Sequence, residues 1–303
     1  MAMNTATPLL SVVVPIGSRK GDISQLAEWV PLAAALDIEV ILIHDFQDLQ
    51  TKLALKNFME KNNSSKIKFL EGEFRSPGKA RNFGIQQTSG KWICFWDSDD
   101  RPDVTKFLNM VNQADLVRAN VCVGNFEKMN IVTGEISKNR FSKNRLLLEM
   151  EIAKDPGMWR FAFDKNSIEE VKFENFRMGE DQSFLAEALL RCKSIHLNDD
   201  FVYQYFVGSD LQLTSQKNAV KEVWHFLAFC EKQKSLKSIS RFYVFIYSKQ
   251  VLSMSLVQHE LGLVKALSKI VSFSGLKICY TLIFMTSLFI TMIRNLRLPV
   301  RND

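Results

Sequence analysis

The chain contains 303 residues, of which 47% are hydrophobic and 24% are charged, a composition that suits one large domain or a domain with an appendage and excludes an intrinsically disordered protein. Its net charge is +6 at pH 7, but residues 261–302 contain six basic residues and no acid, so the remainder is almost neutral. Because that remainder has no basic stripe interleaved with aromatic residues, the composition argues against a nucleic-acid partner.

The cysteines and the N-terminus indicate a cytoplasmic protein. The five cysteines are odd in number, scattered and free of C-x-x-C spacing, which argues against both a disulfide framework and a structural zinc. The first ten residues, MAMNTATPLL, lack the basic region of a secretory signal, and the apolar stretch 9–16 is short and β-branched. We therefore expect that stretch to form a first strand in a protein of the reducing cytosol.

Apolar strands alternate with helices over the first hundred residues. Strands are predicted at 11–15, 39–44, 66–70 and 92–96, and helices at 23–36, 49–61 and 79–87. This alternation predicts an α/β fold with a mostly parallel sheet flanked by helices. From Lys217 onward the pattern changes to helical periods rich in Phe, Leu and Lys. We therefore expect two regions, 1–216 and 217–303, with a boundary near Gln216.

The segment KWICFWDSDDR places three carboxylates directly after an apolar strand. Asp97, Asp99 and Asp100 would lie at the carboxyl end of that strand, where ligands bind in open α/β sheets. A D-x-D pattern there indicates a hard divalent cation held against a phosphorylated ligand. Two other interpretations stay open. One is a polar turn before a helix that begins at Asp103, and the other is the D-x-D-x-[TV] loop of phosphatases, in which Arg101 stands where Thr or Val belongs.

Four short motifs follow one another along the chain. They are S-V-V-V-P at 11–15, P-G-K-A-R-N-F-G at 77–84, F-W-D-S-D-D at 95–100 and M-G-E-D at 178–181. Together they resemble family 2 of the nucleotide-sugar glycosyltransferases, and the resemblance covers about residues 9–215. A Y-Q-Y-x8-T segment at 203–214 resembles the closing element of that family more loosely. The resemblance implies the GT-A fold, a Rossmann-like sheet flanked by helices, with a helical C-terminal extension.

The resemblance assigns the acids after the fourth strand to a metal site. Asp99 is the implied direct ligand of Mn2+ or Mg2+, and Asp97 is implied to contact the metal, its bound water or the ribose of the donor. Such an ion counters the negative charge that grows on the departing diphosphate. Asp100 is a weaker candidate for the metal site. Its carboxylate could equally well accept backbone N–H groups at the start of the next helix.

The resemblance also implies a set of donor contacts. Pro15 ends the first strand, and Asp45 follows the second strand, where the family pairs an Asp with the N3–H of uracil. The local sequence I-H-D-F-Q-D departs from the usual D-D-G-S, which puts the choice of uridine in doubt. Arg81, preceded by Lys79, is expected to open a helix, where cations and free N–H groups receive a diphosphate. The alternative is that Arg81 pairs with the acids at the sheet edge and only organises the loop.

Asp181 resembles the general base of the family. Such a carboxylate removes the proton of the acceptor hydroxyl as its oxygen attacks the anomeric carbon. One base without a covalent nucleophile implies inversion of the anomeric configuration. Glu180 is the second candidate for this role. The alternative is that either acid merely caps or charge-matches the helix predicted at 184–190.

The C-terminal region contains an uncharged run of sixteen residues, 278–293, between Lys277 and Arg294. As a helix this run is roughly 24 Å long, short of the ~30 Å hydrocarbon core of a bilayer. Its hydroxyl residues are spread around the helix, so the run requires burial in lipid or in protein. We expect 276–294 to associate with the membrane, since basic flanks suit anionic headgroups. A buried core helix or a contact with a second copy of the chain is the alternative.

The resemblance and the C-terminal apolar run together imply a bacterial, metal-dependent, inverting glycosyltransferase at the cytoplasmic face of the cell membrane. It would move a hexosyl or N-acetylhexosaminyl group from an NDP-sugar, with a UDP-sugar favoured, to a hydroxyl of a saccharide or lipid-linked acceptor in lipopolysaccharide, capsule or exopolysaccharide assembly. The absence of Q-x-x-R-W after the base argues against a processive synthase. Two alternatives stay open. One is a non-catalytic GT-A scaffold that binds nucleotide, and the other is a nucleotidyltransferase, for which PIGSRKG at 15–21 is a faint phosphate-loop match.

Overall fold

The computed structural model describes residues 7–45, 48–176, 179–208, 219–236 and 239–296. The chain divides into two compact units, Met1–Phe141 with Gly157–Gln216 and Ser142–Pro156 with Lys217–Asp303. The expected boundary at Gln216 lies outside the described residues. The second unit also takes in residues 142–156, which no feature of the sequence indicated.

The first unit is built on one nine-stranded sheet. Its strands in chain order are β1 Leu10–Ile16, β2 Glu39–Asp45, β3 Ile67–Gly72, β4 Trp92–Phe95, β5 Arg101–Pro102, β6 Val121–Asn130, β7 Ile136–Asn139, β8 Phe161–Asp164 and β9 Ile195–Val207. Across the sheet the order is β3-β2-β1-β4-β8-β6-β9-β5, with β7 paired to β6. The helices of this unit are α1 Ser24–Ala35, α2 Leu49–Lys61, α3 Pro77–Gln87, α4 Val104–Leu116 and α6 Glu180–Arg191.

The predicted alternation of strands and helices is confirmed from β1 to β4. These strands pair in parallel, β1 with both β2 and β4, and β2 with β3. Beyond β4 the sheet is mixed, because β8 runs antiparallel to β4 and to β6, whereas β9 is parallel to β6. Mixed sheets of this kind are common in large α/β folds. The carboxyl ends of β1, β2 and β4 therefore meet at one edge.

A glycine in α3 lets this helix lie directly on the sheet. A Cβ at Gly84 would stand 2.4 Å from Cγ1 of Val13 and 2.6 Å from Cδ1 of Ile43, closer than packed atoms tolerate. A larger residue would push the helix away from β1 and β2. The close approach keeps Arg81, about one turn earlier in α3, within reach of the residues that follow β4.

The second unit is helical, as expected for the C-terminal region. Its helices are α5 Arg145–Lys154, α7 Ala219–Leu236, α8 Arg241–Leu256, α9 Leu263–Ser274 and α10 Ile278–Leu296. Arg241 donates two hydrogen bonds of 3.1 Å to the carboxylate of Glu149, which joins α8 to α5. Phe245 of α8 stacks on Phe284 of α10 with ring centroids 4.8 Å apart. These contacts build a separate core for this unit.

Within the part of the chain that the structure describes, one helical stretch, Leu263–Phe289, has the length and the mean hydropathy, 1.4, of a membrane-spanning segment. By itself this is a weak indication, since core helices of soluble proteins share both properties. The stretch is broken between α9 and α10 at Gly275, whose φ is +51°. Thr281 and Phe284 of α10 are fully buried, so one side of this helix belongs to the core of the second unit.

Candidate active site

The candidate site lies where the carboxyl ends of β1, β2 and β4 meet. Asp97 and Asp99 follow β4, the loop after β1 contributes Arg19, and the beginning of α6 contributes Glu180 and Asp181. These four acids of the D-S-D-D and G-E-D motifs thus gather around Arg19 and a buried arginine of α3. The topology explains the meeting, because β1 and β4 are parallel neighbours and α3 packs on β1.

Arg81 is the centre of this cluster. Its guanidinium is buried and donates from Nη2 to Oδ1 of Asp97 and from Nη1 to Oε1 of Glu180, both at 2.8 Å. The ring of Phe173 lies 5.5 Å from its Cζ. Arg81 does not open its helix as predicted, since α3 begins at Pro77 and is capped by Ser76. The side chain joins the two acidic motifs in the manner of the alternative interpretation.

Crowding and burial shift the pKa values of these carboxyl groups. Burial raises the pKa of Glu180 to about 7, and the nearby charge of Asp181 adds to the shift against the effect of Arg81. Burial also raises the pKa of Asp97, with Asp99 and Asp181 acting in the same direction and Arg81 opposing them. Asp181 is therefore close enough to act electrostatically on Asp97, Glu180 and Arg81 at once.

Asp181 and Glu180 occupy the same helical turn but differ in their surroundings. The N-cap of α6 is Gly179, at φ +88°, and among the described residues no side chain caps the helix. Neither acid is therefore a cap, but both lie in the first turn, where the charge-matching alternative placed them. Glu180 is buried against Arg81, whereas Asp181 is half-buried and its Oδ1 accepts the N–H of Gln182 at 2.8 Å. Of the two, Asp181 is the more accessible to an acceptor hydroxyl.

Asp100 has a structural environment that differs from the predicted one. It is buried, its Oδ1 accepts the N–H of Phe206 at 2.9 Å, and its Oδ2 accepts the hydroxyl of Tyr203 at 3.1 Å. Burial raises the pKa of Asp100 well above its usual range. The helix-start role expected for Asp100 is wrong, because Asp103 caps α4 by accepting the N–H of Lys106. Asp100 instead ties the D-S-D-D loop to β9.

Tyr203 also binds the first residue of the D-S-D-D loop. Its hydroxyl accepts the N–H of Asp97 at 3.1 Å and donates to Asp100. Its ring stacks on Trp159 with centroids 4.5 Å apart. The loosely matched Y-Q-Y segment thus begins with a residue that holds the acidic loop, while its residues from 209 onward lie outside the described part of the chain.

The remaining predicted donor contacts lie at the same edge. Asp45 ends β2, where Oδ1 and Oδ2 accept the N–H groups of Phe74 and Arg75 at 2.9 and 2.7 Å. Its carboxylate therefore anchors the loop between β3 and α3. Pro15 is half-buried in β1, and Lys79 is exposed in the first turn of α3. Residues 46–47, which break the usual family turn, lie outside the described residues.

Arg19 is a site residue that the sequence did not single out. Its Nη1 lies 3.0 Å from Oδ2 of Asp99, the predicted metal ligand. The two residues are 80 positions apart, so no local pattern connects them. The available signal was the cationic PIGSRKG segment after β1, considered above only as a phosphate loop.

The acids after β4 fit a divalent cation of the Mg2+ type. Within the described part of the chain no three His, Cys, Asp or Glu side chains form a closed metal cage. Mg2+ needs no such cage, because it binds through one or two carboxylates together with substrate phosphates and water. Asp97 and Asp99 are half-buried, hard oxygen donors one residue apart, which suits that mode of binding.

Solved structures share this fold. The S. aureus TarS 1-349 structure in complex with UDP-GlcNAc superposes with a TM-score of 0.63 at 17% identity, covering 90% of this chain and 81% of that one. The mannosyltransferase PcManGT from Pyrobaculum calidifontis, in complex with GDP-Man and Mn2+, gives a TM-score of 0.57 at 13% identity, covering 95% and 81%. At such identities the likeness concerns the fold, and it confirms the expected fold class.

Sequence relatives and a family model identify the group. The chain is 24% identical over 246 residues to an uncharacterized glycosyltransferase of Haemophilus influenzae, covering 80% of this chain and 96% of that protein. It is 24% identical over 236 residues to the GalNAc(5)-diNAcBac-PP-undecaprenol beta-1,3-glucosyltransferase of Campylobacter jejuni, covering 76% and 75%. Residues 11–174, more than half of the chain, match the family model for glycosyl transferase family 2. The chain therefore belongs to glycosyltransferase family 2.

Proposed function

We propose that this glycosyltransferase is a metal-dependent, inverting enzyme that moves one hexosyl or N-acetylhexosaminyl group from an NDP-sugar to an acceptor hydroxyl. The observation that carries the proposal is the position of Asp181. It lies half-buried in the first turn of α6, near enough to Asp97 to raise the pKa of that carboxyl. A base and a diphosphate-binding edge are thus adjacent in one site.

The proposed chemistry divides among the residues of the cluster. The Asp181 carboxylate takes the proton of the acceptor hydroxyl while that oxygen forms a bond to the anomeric carbon. The bond from the anomeric carbon to the diphosphate oxygen breaks, and its electron pair leaves with the nucleoside diphosphate. Asp99 and Asp97 would hold a divalent cation, which would supply positive charge against the departing diphosphate. Attack from the opposite face inverts the anomeric configuration.

Arg81 and the beginning of α6 support this arrangement electrostatically. The guanidinium bridges Asp97 and Glu180, which fixes the distance between the metal-binding loop and the helix that carries Asp181. The N-terminus of α6 favours the ionised form of a carboxylate in its first turn. Glu180, the more buried of the two acids, is the one whose pKa is raised by burial.

A UDP-sugar is the favoured donor, with Pro15, Asp45 and Lys79 as further contacts. The resemblance assigns Asp45 to the uracil ring, although its carboxylate also accepts two N–H groups of the β3–α3 loop. A TarS structure contains UDP-GlcNAc, and the Campylobacter jejuni relative acts on an undecaprenol-linked saccharide. Both support a sugar-nucleotide donor and a saccharide or lipid-linked acceptor in bacterial surface-polysaccharide assembly.

A thermal-shift panel of UDP, GDP, dTDP and CMP, each with and without Mn2+, tests the donor. We expect UDP with Mn2+ to raise the melting temperature most. A ligand at a hundred times its dissociation constant adds about 2.7 kcal/mol to the free energy of unfolding. A larger shift with GDP would contradict the uridine assignment. If UDP binds but no UDP-sugar is hydrolysed or used for transfer in an activity assay, the non-catalytic scaffold would be favoured.

We further propose that the second unit contacts the inner face of the cell membrane through α9 and α10. The two helices and the short turn between them expose apolar side chains beside three lysines, of which Lys269 also pairs with Glu231. The exposed apolar residues are Leu263, Val264, Leu267, Val271, Leu276, Leu282, Ile283 and Phe289, and the lysines are Lys265, Lys269 and Lys277. An exposed apolar face with basic neighbours suits an anionic bilayer surface.

Paired charge substitutions on α9 test this surface. Val264 and Val271 are 83% and 55% exposed, so replacing both by Glu removes apolar area and adds repulsion without disturbing the core. We expect the double variant to lose flotation with phosphatidylglycerol-containing liposomes. The matched control replaces Leu116 and Val117, 84% and 64% exposed in the first unit, by Glu and should float normally. Equal flotation of all three proteins would contradict the proposal, and a dimer lost in the α9 variant would identify a second copy as the occupant.

A further inference from the structure

The loop between β1 and α1 holds Arg19 on an ordered backbone. Oγ1 of Thr51 accepts the N–H groups of Arg19 and Gly21, both at 3.1 Å. The carboxylate of Asp48 accepts the N–H of Lys20 at 2.7 Å and the Thr51 hydroxyl at 2.6 Å. Lys20 and Gly21 have positive φ values of 51° and 84°. The N-terminus of α2 thus fixes the loop, and Arg19 is presented to the site from a defined position.

The side chain of Arg19 ends on the predicted metal ligand. Nη1 lies 3.0 Å from Oδ2 of Asp99, and the two side chains are 13% and 29% exposed. Nε of Arg19 is buried and has no hydrogen-bond partner among the described residues. The ion pair therefore gives the Asp99 carboxylate a cationic partner, but it leaves one N–H group of the guanidinium without a hydrogen-bond acceptor among the described residues.

A divalent cation at Asp99 would compete with this ion pair. The metal ion and the Arg19 guanidinium would bind the same carboxylate. A guanidinium within a few ångströms of the metal position also repels the metal ion, and this repulsion is stronger in a partly buried site than in water. Metal binding to the nucleotide-free protein must therefore displace or weaken the contact with Arg19. A diphosphate changes this balance, because it offers the guanidinium a bidentate anionic partner.

We propose that Arg19 couples the binding of the divalent cation to the binding of the donor diphosphate. Without a donor, Arg19 neutralises Asp99 and keeps the metal affinity low. When the diphosphate is present, Arg19 turns to it, and Asp99 becomes available to the cation. This inference rests on the proposed function for its ligands, but it concerns a positioning residue that the four family-like motifs do not include.

The first test measures Mn2+ binding without any nucleotide, from the electron paramagnetic resonance signal of the free ion. We expect Arg19→Gln to bind Mn2+ more tightly than wild type, by at least about fivefold, the lower end of typical coupling between two sites. Arg19→Lys keeps the charge and should stay near wild type. Arg101→Gln is the matched control, since Arg101 lies two residues from Asp99 but pairs with Glu28.

The second test measures coupling by calorimetric titration with UDP and with inorganic pyrophosphate, at zero and saturating Mn2+. In wild type and Arg101→Gln we expect Mn2+ to tighten binding of both ligands strongly, and in Arg19→Gln this enhancement should shrink by at least about fivefold, since coupling is reciprocal. Melting temperatures and circular dichroism confirm that the variants are folded.

The outcomes separate this inference from the proposed donor. Unchanged Mn2+ affinity and unchanged coupling in folded Arg19→Gln would overturn the inference, and so would an equal change in Arg101→Gln. Failure of both wild type and Arg19→Gln to bind Mn2+ would overturn it together with the metal site. If pyrophosphate shows the coupling and UDP does not bind, the uridine donor is wrong and the role of Arg19 stands.

Discussion

Replacing Asp181 by Asn is expected to lower the rate of sugar transfer by about 10² to 10⁴, the usual contribution of a positioned general base. Binding of UDP and Mn2+ should remain near wild type, because the proposed mechanism assigns Asp181 to the acceptor hydroxyl and assigns the donor and the cation to other residues. Asn preserves the shape of the side chain and its acceptor oxygen for the N–H of Gln182. The expected loss is therefore one of basicity and not of structure.

Glu180→Gln is the matched control for Asp181→Asn. Burial raises the pKa of Glu180 to about 7, so a neutral amide should resemble this carboxyl more closely at pH 6 than at pH 8. Gln can still accept the hydrogen bond from Arg81. We expect transfer at pH 6 to change far less in Glu180→Gln than in Asp181→Asn.

Single-turnover transfer and calorimetric UDP affinity, measured on both folded variants, decide the assignment. The informative quantity is the ratio of the transfer rate to the donor affinity. Unimpaired transfer in Asp181→Asn would be fatal to the base assignment. If Glu180→Gln alone lost transfer, the base would be Glu180, which would have to reach the acceptor despite its burial against Arg81.

Much of the first unit could be predicted because its signals are local. Runs such as Trp92–Phe95 are short, apolar and bounded by turn residues, and their alternation with helices predicts parallel pairing. The antiparallel strand β8 carries no such signal, since direction within a sheet depends on long-range pairing. The membership of α5 in the second unit is equally non-local. It rests on contacts such as that between Arg241 and Glu149, 92 residues apart.

The acids of the candidate site are easier to recognise in the sequence than its cations. Asp97, Asp99 and Asp181 stand in motifs whose spacing can be read along the chain. Arg19 reaches Asp99 only because β1 and β4 are neighbours, and that adjacency follows from the sheet order. Arg81 was predicted to contact the diphosphate, but its guanidinium donates hydrogen bonds to the carboxylates of Asp97 and Glu180. A sequence shows which residues carry charge, whereas the choice among several opposite charges depends on the fold.

The second large effect is expected from Asp99→Asn. A neutral amide holds a divalent cation poorly, so the charge that opposes the departing diphosphate is lost from the site. We expect transfer to fall on the order of 10² to 10³, comparable to the removal of one preorganised electrostatic group, and half-maximal activity to require more Mn2+. Folding should survive, because a partly exposed ion pair such as Arg19 with Asp99 contributes only about 1 kcal/mol or less.

Asp103→Asn is the control for this variant, since Asp103 belongs to the same acidic segment but caps α4, and Asn caps a helix as well as Asp does. Its Mn2+ dependence should match wild type. The measurement is the initial rate of transfer as a function of Mn2+ concentration in both variants. Asp99→Asn removes the proposed metal ligand, whereas Asp103→Asn removes only a nearby negative charge. Equal Mn2+ dependence in Asp99→Asn and Asp103→Asn, at wild-type rates, would show that Asp99 serves only as the partner of Arg19. The metal-binding carboxylate would then have to be Asp97, whose Oδ1 already accepts a hydrogen bond from Arg81.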